Sequence, residues 1–150
     1  FADELAAFIK TVSIERTIVD VRHNTGGDNH FYPPLLKFLQ QNQLGKLYVL
    51  IGRMTLSAAV NFSTELEQSL HPIFVGEATG EPPNLYADAR PITLTYSTIQ
   101  VDVSSHYIQK STADDMRLTI EPSISTPLSS SDYFNGHDLA LEAVLTNVQN

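Results

Sequence analysis

The stretch Lys46-Leu-Tyr-Val-Leu-Ile-Gly-Arg-Met-Thr-Leu-Ser-Ala-Ala-Val60 joins a strand-forming run to the start of a helical pattern. Residues 46–51 are rich in aliphatic and aromatic residues, which indicates a buried strand. Apolar residues then recur at helical spacing as far as Leu70, which predicts a helix capped by Thr55. This strand-to-helix unit indicates a fold in which helices pack on a sheet.

Upstream of this unit the chain alternates helix and strand patterns. Residues 2–10 are predicted to form a helix, and the β-branched run Thr17–Val21 predicts a strand. A second helix is predicted to begin at Pro33, because proline suits a first helical turn, and to end at Gly45. This alternation is typical of an α/β domain.

Downstream of the unit the pattern changes. Pro72–Val75 predicts a short buried strand, and the alternating runs 92–96 and 99–103 predict a β-hairpin. Residues 104–136 are polar and show no period, so they are predicted to be irregular. A last helix is predicted from about Asp138.

Length and composition limit the classes of function. The 150 residues, 42% of them hydrophobic, fit one domain, and no apolar run approaches the roughly 18 residues of a membrane span. A net charge of −8 with only nine Lys and Arg argues against nucleic-acid binding. The absence of cysteine excludes disulfides, a thiolate nucleophile and cysteine-bound zinc. Because the chain opens directly in a helical pattern, we expect residues 1–150 to be one domain cut from a longer protein.

Ser57 is the candidate nucleophile, because it follows a strand and lies in the first turn of a predicted helix. Unpaired backbone N–H groups and the helix dipole there favour negative charge, such as the oxyanion formed in acyl transfer. The N–H of Ala58 is a predicted donor to that oxyanion. The alternative is a capping serine in a helix start of small residues, and spacing alone favours this alternative.

The turn Asn24-Thr-Gly-Gly-Asp28 follows the first predicted strand. Gly26 and Gly27 let the backbone adopt positive φ and approach a ligand closely, so either amide is a candidate second oxyanion donor. The turn lacks the lysine and hydroxyl residue of a phosphate loop. A purely structural strand-to-helix turn is an equal alternative.

A serine nucleophile needs a base to accept its proton. His23 and His30 flank the glycine turn, with Asp28 between them, in a spacing that matches no common zinc site. The other three histidines lie in predicted turns or polar loops, which is typical of surface residues. No metal and no cofactor are predicted.

Four segments together are similar to one known family. Thr17-Ile-Val-Asp-Val-Arg-His-Asn-Thr-Gly-Gly27 resembles the "DLRxNxGG" strand and turn of the tail-specific (carboxy-terminal processing) serine proteases, and Thr55–Ala59 resembles their nucleophile segment. Gly76-Glu-Ala-Thr-Gly80 resembles their "GEPTxG" loop, and residues 114–124 resemble the "DDxR…PDI" stretch that precedes their last helix. Each motif is weak alone, but four in order across most of the chain make the resemblance specific.

The resemblance implies an α/β fold of the crotonase-like (Clp protease-like) type, a superhelix of strand-strand-helix units. It implies a serine peptidase that forms an acyl-enzyme on Ser57, with backbone donors at Gly26, Gly27 and Ala58. The implied partners are a peptide or protein substrate and an upstream domain of the same protein. Many members are exported, which leaves the compartment of this chain open.

The resemblance also implies roles for residues around the nucleophile. Glu77, Thr79 and Gly80 are implied to form a loop beside the substrate. Asp20 and Arg22 are expected to hold the glycine turn by ion pairing.

One position departs from the family pattern. In the best-known members a lysine at the end of the glutamate loop is the general base, and counting from Gly76 puts Pro82 there. The tricorn protease, a related branch, resembles a serine-histidine-acid scheme whose histidine lies far upstream, which here means before Phe1. Within the chain His30 is the candidate base, with His23 as the alternative.

The missing lysine leaves a second class of function open. The interphotoreceptor retinoid-binding protein resembles this family and carries apolar ligands, so the chain could be a non-catalytic binding module for apolar ligands or peptides. A third possibility is a structural fragment that needs an upstream region. Labelling of Ser57 by a fluorophosphonate would favour the peptidase, and ligand binding without labelling would favour the carrier.

Overall fold

The computed structural model of the chain describes residues 2–9, 11–42 and 44–147, and for Ala2, Asp3 and Ala6 it describes the backbone alone. The helices and strands are, in chain order, α1 (Ala2–Ile9), β1 (Arg16–Asp20), α2 (Pro33–Gln41), β2 (Lys46–Ile51), α3 (Ala58–Leu70), β3 (Ile73–Gly76), β4 (Asn84–Ala87), β5 (Arg90–Thr93), β6 (Gln100–Val103), β7 (His106–Gln109), β8 (Ile124–Ser125), α4 (Ser130–Asn135) and α5 (Leu139–Thr146). None of the described helices is long and apolar enough to cross a membrane.

Four parallel strands form the central sheet, in the order β1-β2-β3-β8. The register places Val19 beside Val49, and Val49 beside Phe74. Because the strands are parallel, their carboxyl ends lie at one edge, where the loops after β1, β2 and β3 meet. The predicted α/β class is confirmed at the level of a parallel sheet with helices.

Helices pack on both faces of this sheet. Val49 and Ile51 of β2 lie in one apolar core with Leu66 of α3, and all three are fully buried. Leu50 lies in a second core with Val144 of α5. Neighbouring residues of β2 serve different cores because side chains alternate between the two faces of a strand.

Thr55 does not cap α3, contrary to the prediction. The helix begins at Ala58 with Ser57 at its N-cap position. Thr55 is fully buried, and its hydroxyl donates to the carbonyl of Val21 at 2.9 Å and accepts the N–H of Gly52 at 3.0 Å. The hydroxyl therefore fastens the β2–α3 loop to the chain just after β1.

The helices and strands predicted in the first half of the chain are confirmed, although β1 lies one residue earlier than the predicted Thr17–Val21 and α2 is shorter than predicted. Helix α2 begins at Pro33 as predicted but ends at Gln41, before Gly45. Gly45 instead precedes β2 with a φ of +68°, and a Cβ there would lie 2.2 Å from the carbonyl oxygen of Glu15. The first predicted helix matches α1, and its last residue, Lys10, lies outside the described residues.

The predicted hairpin is confirmed as the antiparallel pair β5 and β6, although its first strand covers residues 90–93 and not the predicted 92–96. The prediction that residues 104–136 are irregular is wrong, because they contain β7, β8 and α4. These elements have only four, two and six residues, too few to produce a readable period. Strand β7 pairs with β4, which begins immediately after the Pro82–Pro83 segment.

Candidate active site

Ser57 ends the loop that joins β2 to α3, and its backbone is strained. Its φ of +50° and ψ of −120° lie outside the regions that residues with a side chain ordinarily populate. Such a conformation costs about 1–3 kcal/mol and persists only where the surroundings enforce it. The residue is partly exposed. A strained serine at a strand-to-helix turn is the geometry by which the α/β-hydrolase fold presents its nucleophile.

Hydrogen bonds on both sides of Ser57 hold this turn. The N–H of Leu56 donates to the carbonyl of Asn24 at 3.1 Å, which ties the loop to the glycine turn. The N–H of Asn61 donates to the carbonyl of Ser57 at 3.0 Å, which begins the helical ladder of α3. The serine is thus fixed between the glycine turn and the helix.

The glycine turn lies directly against Ser57. Gly26 and Gly27 have φ values of +105° and +137°, which strain any residue with a side chain. A Cβ on Gly26 would lie 2.5 Å from the Cβ of Ser57 and 3.1 Å from its Oγ. The absence of a side chain at Gly26 is therefore a requirement of the contact with Ser57.

Two backbone amides beside the serine lack an acceptor among the described residues. The N–H of Gly26 donates to Asn24 Oδ1 at 2.9 Å and is therefore engaged. The N–H groups of Gly27 and Ala58 have no acceptor within the described part of the chain. Both residues border the same pocket, so both amides are candidate donors to an oxyanion formed next to Ser57.

That pocket has a volume of about 320 Å³ and largely apolar walls. Ala59 and Phe62 are buried in its wall, and the ring of Tyr32 packs 5.2 Å from that of Phe62. The hydroxyl of Tyr32 donates to Glu65 Oε1 at 2.8 Å, which holds the ring in place. Phe31 stands at the mouth of the pocket with 82% of its surface exposed.

His30 is paired with Asp28 rather than with the serine. Its Nδ1 lies 2.6 Å from Asp28 Oδ1, and its side chain is 93% exposed. The backbone N–H and the ring of His30 both lower the pKa of Asp28. His23 is exposed beside Asp20, and no described histidine or lysine side chain hydrogen bonds to Ser57. Among the described residues no group of three His, Asp or Glu side chains is placed to hold a metal ion.

The predicted ion pair between Asp20 and Arg22 is confirmed. Arg22 Nη2 lies 2.7 Å from Asp20 Oδ2, and Arg22 Nη1 lies 2.7 Å from Asp138 Oδ1. Asp138, which sequence reasoning did not connect to the turn, also caps α5 by accepting the N–H of Leu141 at 3.0 Å. Arg22 therefore ties the end of β1 to the last helix.

This ion pair predicts an acid-sensitive contribution to stability. Hydrogen bonds from Arg22 lower the pKa of Asp138 from its usual 3.8, despite partial burial. A carboxylate whose pKa is lower in the folded than in the unfolded protein stabilises the fold at pH values above its unfolded-state pKa. This stabilisation is lost as the pH falls through the folded-state pKa. We expect Arg22→Met to reduce the dependence of the unfolding free energy on pH between about 5 and 2, by about 1 kcal/mol or less after solvent screening.

Urea denaturation at a series of pH values measures this effect. Arg90→Met is the matched control, because Arg90 is exposed and makes no ion pair with any described residue. Parallel pH profiles for wild type and Arg22→Met would contradict the prediction.

The residues of the glutamate loop make contacts within the protein. Glu77 Oε1 lies 2.8 Å from Nη2 of Arg53, and Thr79 is buried. The N–H of Gly80 donates to the carbonyl of Thr55 at 3.2 Å, which docks the loop on the segment that leads to Ser57.

Glu81 is a site residue that sequence reasoning missed. Its Oε2 accepts the backbone N–H of Ser57. Comparison with the family drew attention to the neighbouring Pro82, where the lysine was expected, and passed over the carboxylate beside it. The sequence signal that could have identified it is the position of Glu81 directly after the glutamate loop, whose end carries the general base in the best-known members.

The segment that resembles "DDxR" is structural. Arg117 Nη2 lies 2.8 Å from Asp115 Oδ2 and 2.8 Å from Glu67 Oε2 of α3. Hydrogen bonds from Arg117 hold the pKa of Asp115 well below its usual range. The segment thus anchors the chain before β8 to the back of α3.

Solved structures share this fold. Superposition with the photosystem II D1 C-terminal processing protease gives a TM-score of 0.55 at 16% identity, over 84% of this chain and 38% of that chain. A candidate S41 protease from Bacteroides fragilis gives 0.62 at 15% identity, over 99% and 50%. A candidate peptidase from Parabacteroides merdae gives 0.60 at 16% identity, over 95% and 54%.

These similarities confirm the suspected resemblance at the level of the fold. The structural neighbours of this chain include a C-terminal processing protease and candidate S41 peptidases, and the chain spans 38 to 54% of the lengths of these three. Neither a protein-family sequence model nor a curated protein matches the sequence.

Proposed function

We propose that this chain is the catalytic core of a serine peptidase in which Ser57 attacks the carbonyl of a peptide bond. The observation that carries the proposal is the strained backbone of Ser57 packed against Gly26, beside amides that lack an acceptor among the described residues. The likeness of the fold to C-terminal processing proteases supports it.

The reaction is acyl transfer to the serine and then to water. Ser57 Oγ bonds to the carbonyl carbon, and the resulting oxyanion accepts hydrogen bonds from the N–H groups of Gly27 and Ala58. Loss of one such donor typically costs about 10²–10³-fold in rate. Collapse of the intermediate, with the proton taken from Ser57 passed by the base to the leaving nitrogen, expels the amine and leaves an ester on Ser57, which water hydrolyses. The first turn of α3 adds a favourable dipole to the oxyanion.

His30 is the proposed base, with Asp28 as the carboxylate that orients it. Asp28 accepts from Nδ1 of His30, which leaves Nε2 to take the serine proton, the division of roles found in serine-histidine-acid sites. Catalytic hydrogen bonds are often loose before substrate binds, so the exposed position of His30 does not conflict with this role. The alternative base is a histidine outside these 150 residues.

The apolar pocket receives the side chain of the residue whose carbonyl is attacked. Its walls contain Ala59, Phe62 and Tyr32 and lie beside the two donor amides. An acidic side chain there would lose hydration beside the carboxylate of Asp28, which also borders the pocket, so apolar side chains are preferred over acidic ones.

We also propose a domain organisation for the protein. Residues 1–150 form one domain of the crotonase-like superhelix type, and a further domain of the same protein lies upstream. The solved chains with this fold, about half of whose length is matched, support a longer protein. The solved structures described above are known or candidate peptidases and not carriers of apolar ligands, so they do not support the carrier.

Fluorophosphonate labelling of the full-length protein tests the proposal. We expect stoichiometric modification of Ser57, located by peptide mass spectrometry, and a labelling rate that falls roughly 10²–10⁴-fold in His30→Gln because the base is lost. His106→Gln is the matched control, because His106 is an exposed histidine whose Nδ1 lies 2.8 Å from Asp88 Oδ2.

Two results would change the assignment. A wild-type protein that is not labelled, but binds a fluorescent fatty acid tightly, would identify the carrier instead. Labelling of His30→Gln at the wild-type rate would leave Ser57 as nucleophile and place the base elsewhere in the protein.

A further inference from the structure

We propose that Glu81 is a positioning residue that holds Ser57 in its strained backbone conformation. The role rests on the proposed function, because it concerns the geometry of the nucleophile. It differs from the base role of the lysine expected one residue later, at Pro82.

The contact joins the Glu81 carboxylate to the backbone of Ser57. Oε2 of Glu81 accepts the N–H of Ser57, and among the described residues it is the acceptor of that amide. The N–H groups at the start of a helix have no acceptor within the helix itself, so this one depends on an acceptor from outside. A carboxylate suits the position because the helix dipole favours negative charge there.

This hydrogen bond fixes the peptide plane on which the strained φ of Ser57 depends. The peptide plane between Leu56 and Ser57 carries this N–H, and φ of Ser57 is the rotation of the residue relative to that plane. Since the carbonyl of Ser57 is held by Asn61, fixing the plane leaves φ little freedom to relax from +50°. Relaxation to negative φ would move the Ser57 side chain relative to Gly26.

Glu81 is itself presented from a tightly docked loop. The buried Thr79 donates its hydroxyl proton to the carbonyl of Glu81 at 2.8 Å. Gly80 approaches the carbonyl oxygen of Arg53 so closely that a Cβ would lie 2.3 Å from it. The two prolines that follow Glu81 restrict the backbone further. The carboxylate can therefore constrain Ser57 because its own backbone is constrained.

The described contacts assign Glu81 to the serine backbone and not to proton transfer. The carboxylate bonds to the N–H of Ser57, and no hydrogen bond to Ser57 Oγ from any described residue is formed. A positioning role predicts that an uncharged oxygen acceptor substitutes for the carboxylate, whereas a base role predicts that it does not.

Fluorophosphonate inactivation of the full-length protein separates these roles. We expect Glu81→Ala to lower the maximal inactivation rate roughly 10- to 100-fold with the probe's apparent binding constant unchanged, because the nucleophile is displaced and the pocket is not. Glu81→Gln keeps an oxygen acceptor and is expected to stay within about threefold of wild type. Glu121→Ala, at an exposed glutamate bonded to Thr119, is the matched control and is expected to react like wild type.

Amide hydrogen exchange of Ser57 supplies a readout that does not depend on catalysis. The Ser57 N–H is expected to exchange at least about tenfold faster in Glu81→Ala than in wild type or Glu81→Gln, because its acceptor is lost. Unchanged exchange in Glu81→Ala, or a Glu81→Gln variant as slow as Glu81→Ala, would overturn the positioning role. Changed exchange in a protein that fluorophosphonate never labels would keep the contact and refute the peptidase.

Discussion

Replacement of Ser57 by alanine is expected to abolish fluorophosphonate labelling and to lower hydrolysis of fluorescently labelled, denatured casein by the full-length protein about 10⁴-fold or more. The hydroxyl is the group that forms the acyl-enzyme, and neither the glycine turn nor Ala58 can replace it. Cooperative unfolding should persist, because the side chain is small and partly exposed. Hydrolysis at the wild-type rate would refute the assignment of Ser57.

A glycine at the same position separates the chemistry from the backbone strain. Ser57→Gly should be as inactive as Ser57→Ala, but glycine adopts a φ of +50° without steric cost. Relief of about 1–3 kcal/mol of strain, less up to about 1 kcal/mol for the added freedom of the unfolded chain, leaves Ser57→Gly the more stable variant by about 1 kcal/mol. Urea denaturation of both variants measures the difference, and a less stable glycine variant would show that Ser57 is not strained.

Local sequence patterns were sufficient to predict those helices and strands whose structure is determined within a single segment. The bounds of β2, Lys46–Ile51, were predicted because a buried apolar run leaves few alternatives, and α2 begins at Pro33 because proline suits a first turn. The cap at Thr55 was predicted wrongly, since its hydroxyl bonds instead to the carbonyl of Val21, a partner 34 residues away. Side-chain oxygens with a choice of partners are poorly predicted from local sequence.

The same distinction applies to the candidate site. The motifs indicated that the glycine turn and Ser57 belong together, and the structure brings Gly26 into direct contact with the serine. The strained φ of Ser57 was not predictable, because the bond from Leu56 to Asn24 and the contact of Ser57 with Glu81 join segments that are distant in sequence. The hydrogen bond between His30 and Asp28 joins residues that are two positions apart, so it is a local contact.

Replacement of Gly26 by alanine is expected to lower the fluorophosphonate labelling rate about 10²–10³-fold. The new Cβ would lie 2.5 Å from the Cβ of Ser57, so either the serine or the turn must move. Movement of the serine misplaces the nucleophile, and movement of the turn withdraws the amide of Gly27. The φ of +105° adds backbone strain, so the unfolding free energy should also fall, by about 1–3 kcal/mol.

Gly136→Ala supplies the control that separates strain from collision. Gly136 also has positive φ, +72°, but a Cβ there would meet none of the described atoms within 4 Å. Its alanine variant should lose about 1 kcal/mol of stability and keep the wild-type labelling rate, because strain at the end of α4 does not reach Ser57. If Gly26→Ala also kept the wild-type labelling rate, the contact between the glycine turn and the serine would not contribute to catalysis. The oxyanion site proposed at Gly27 and Ala58 would then have to be abandoned.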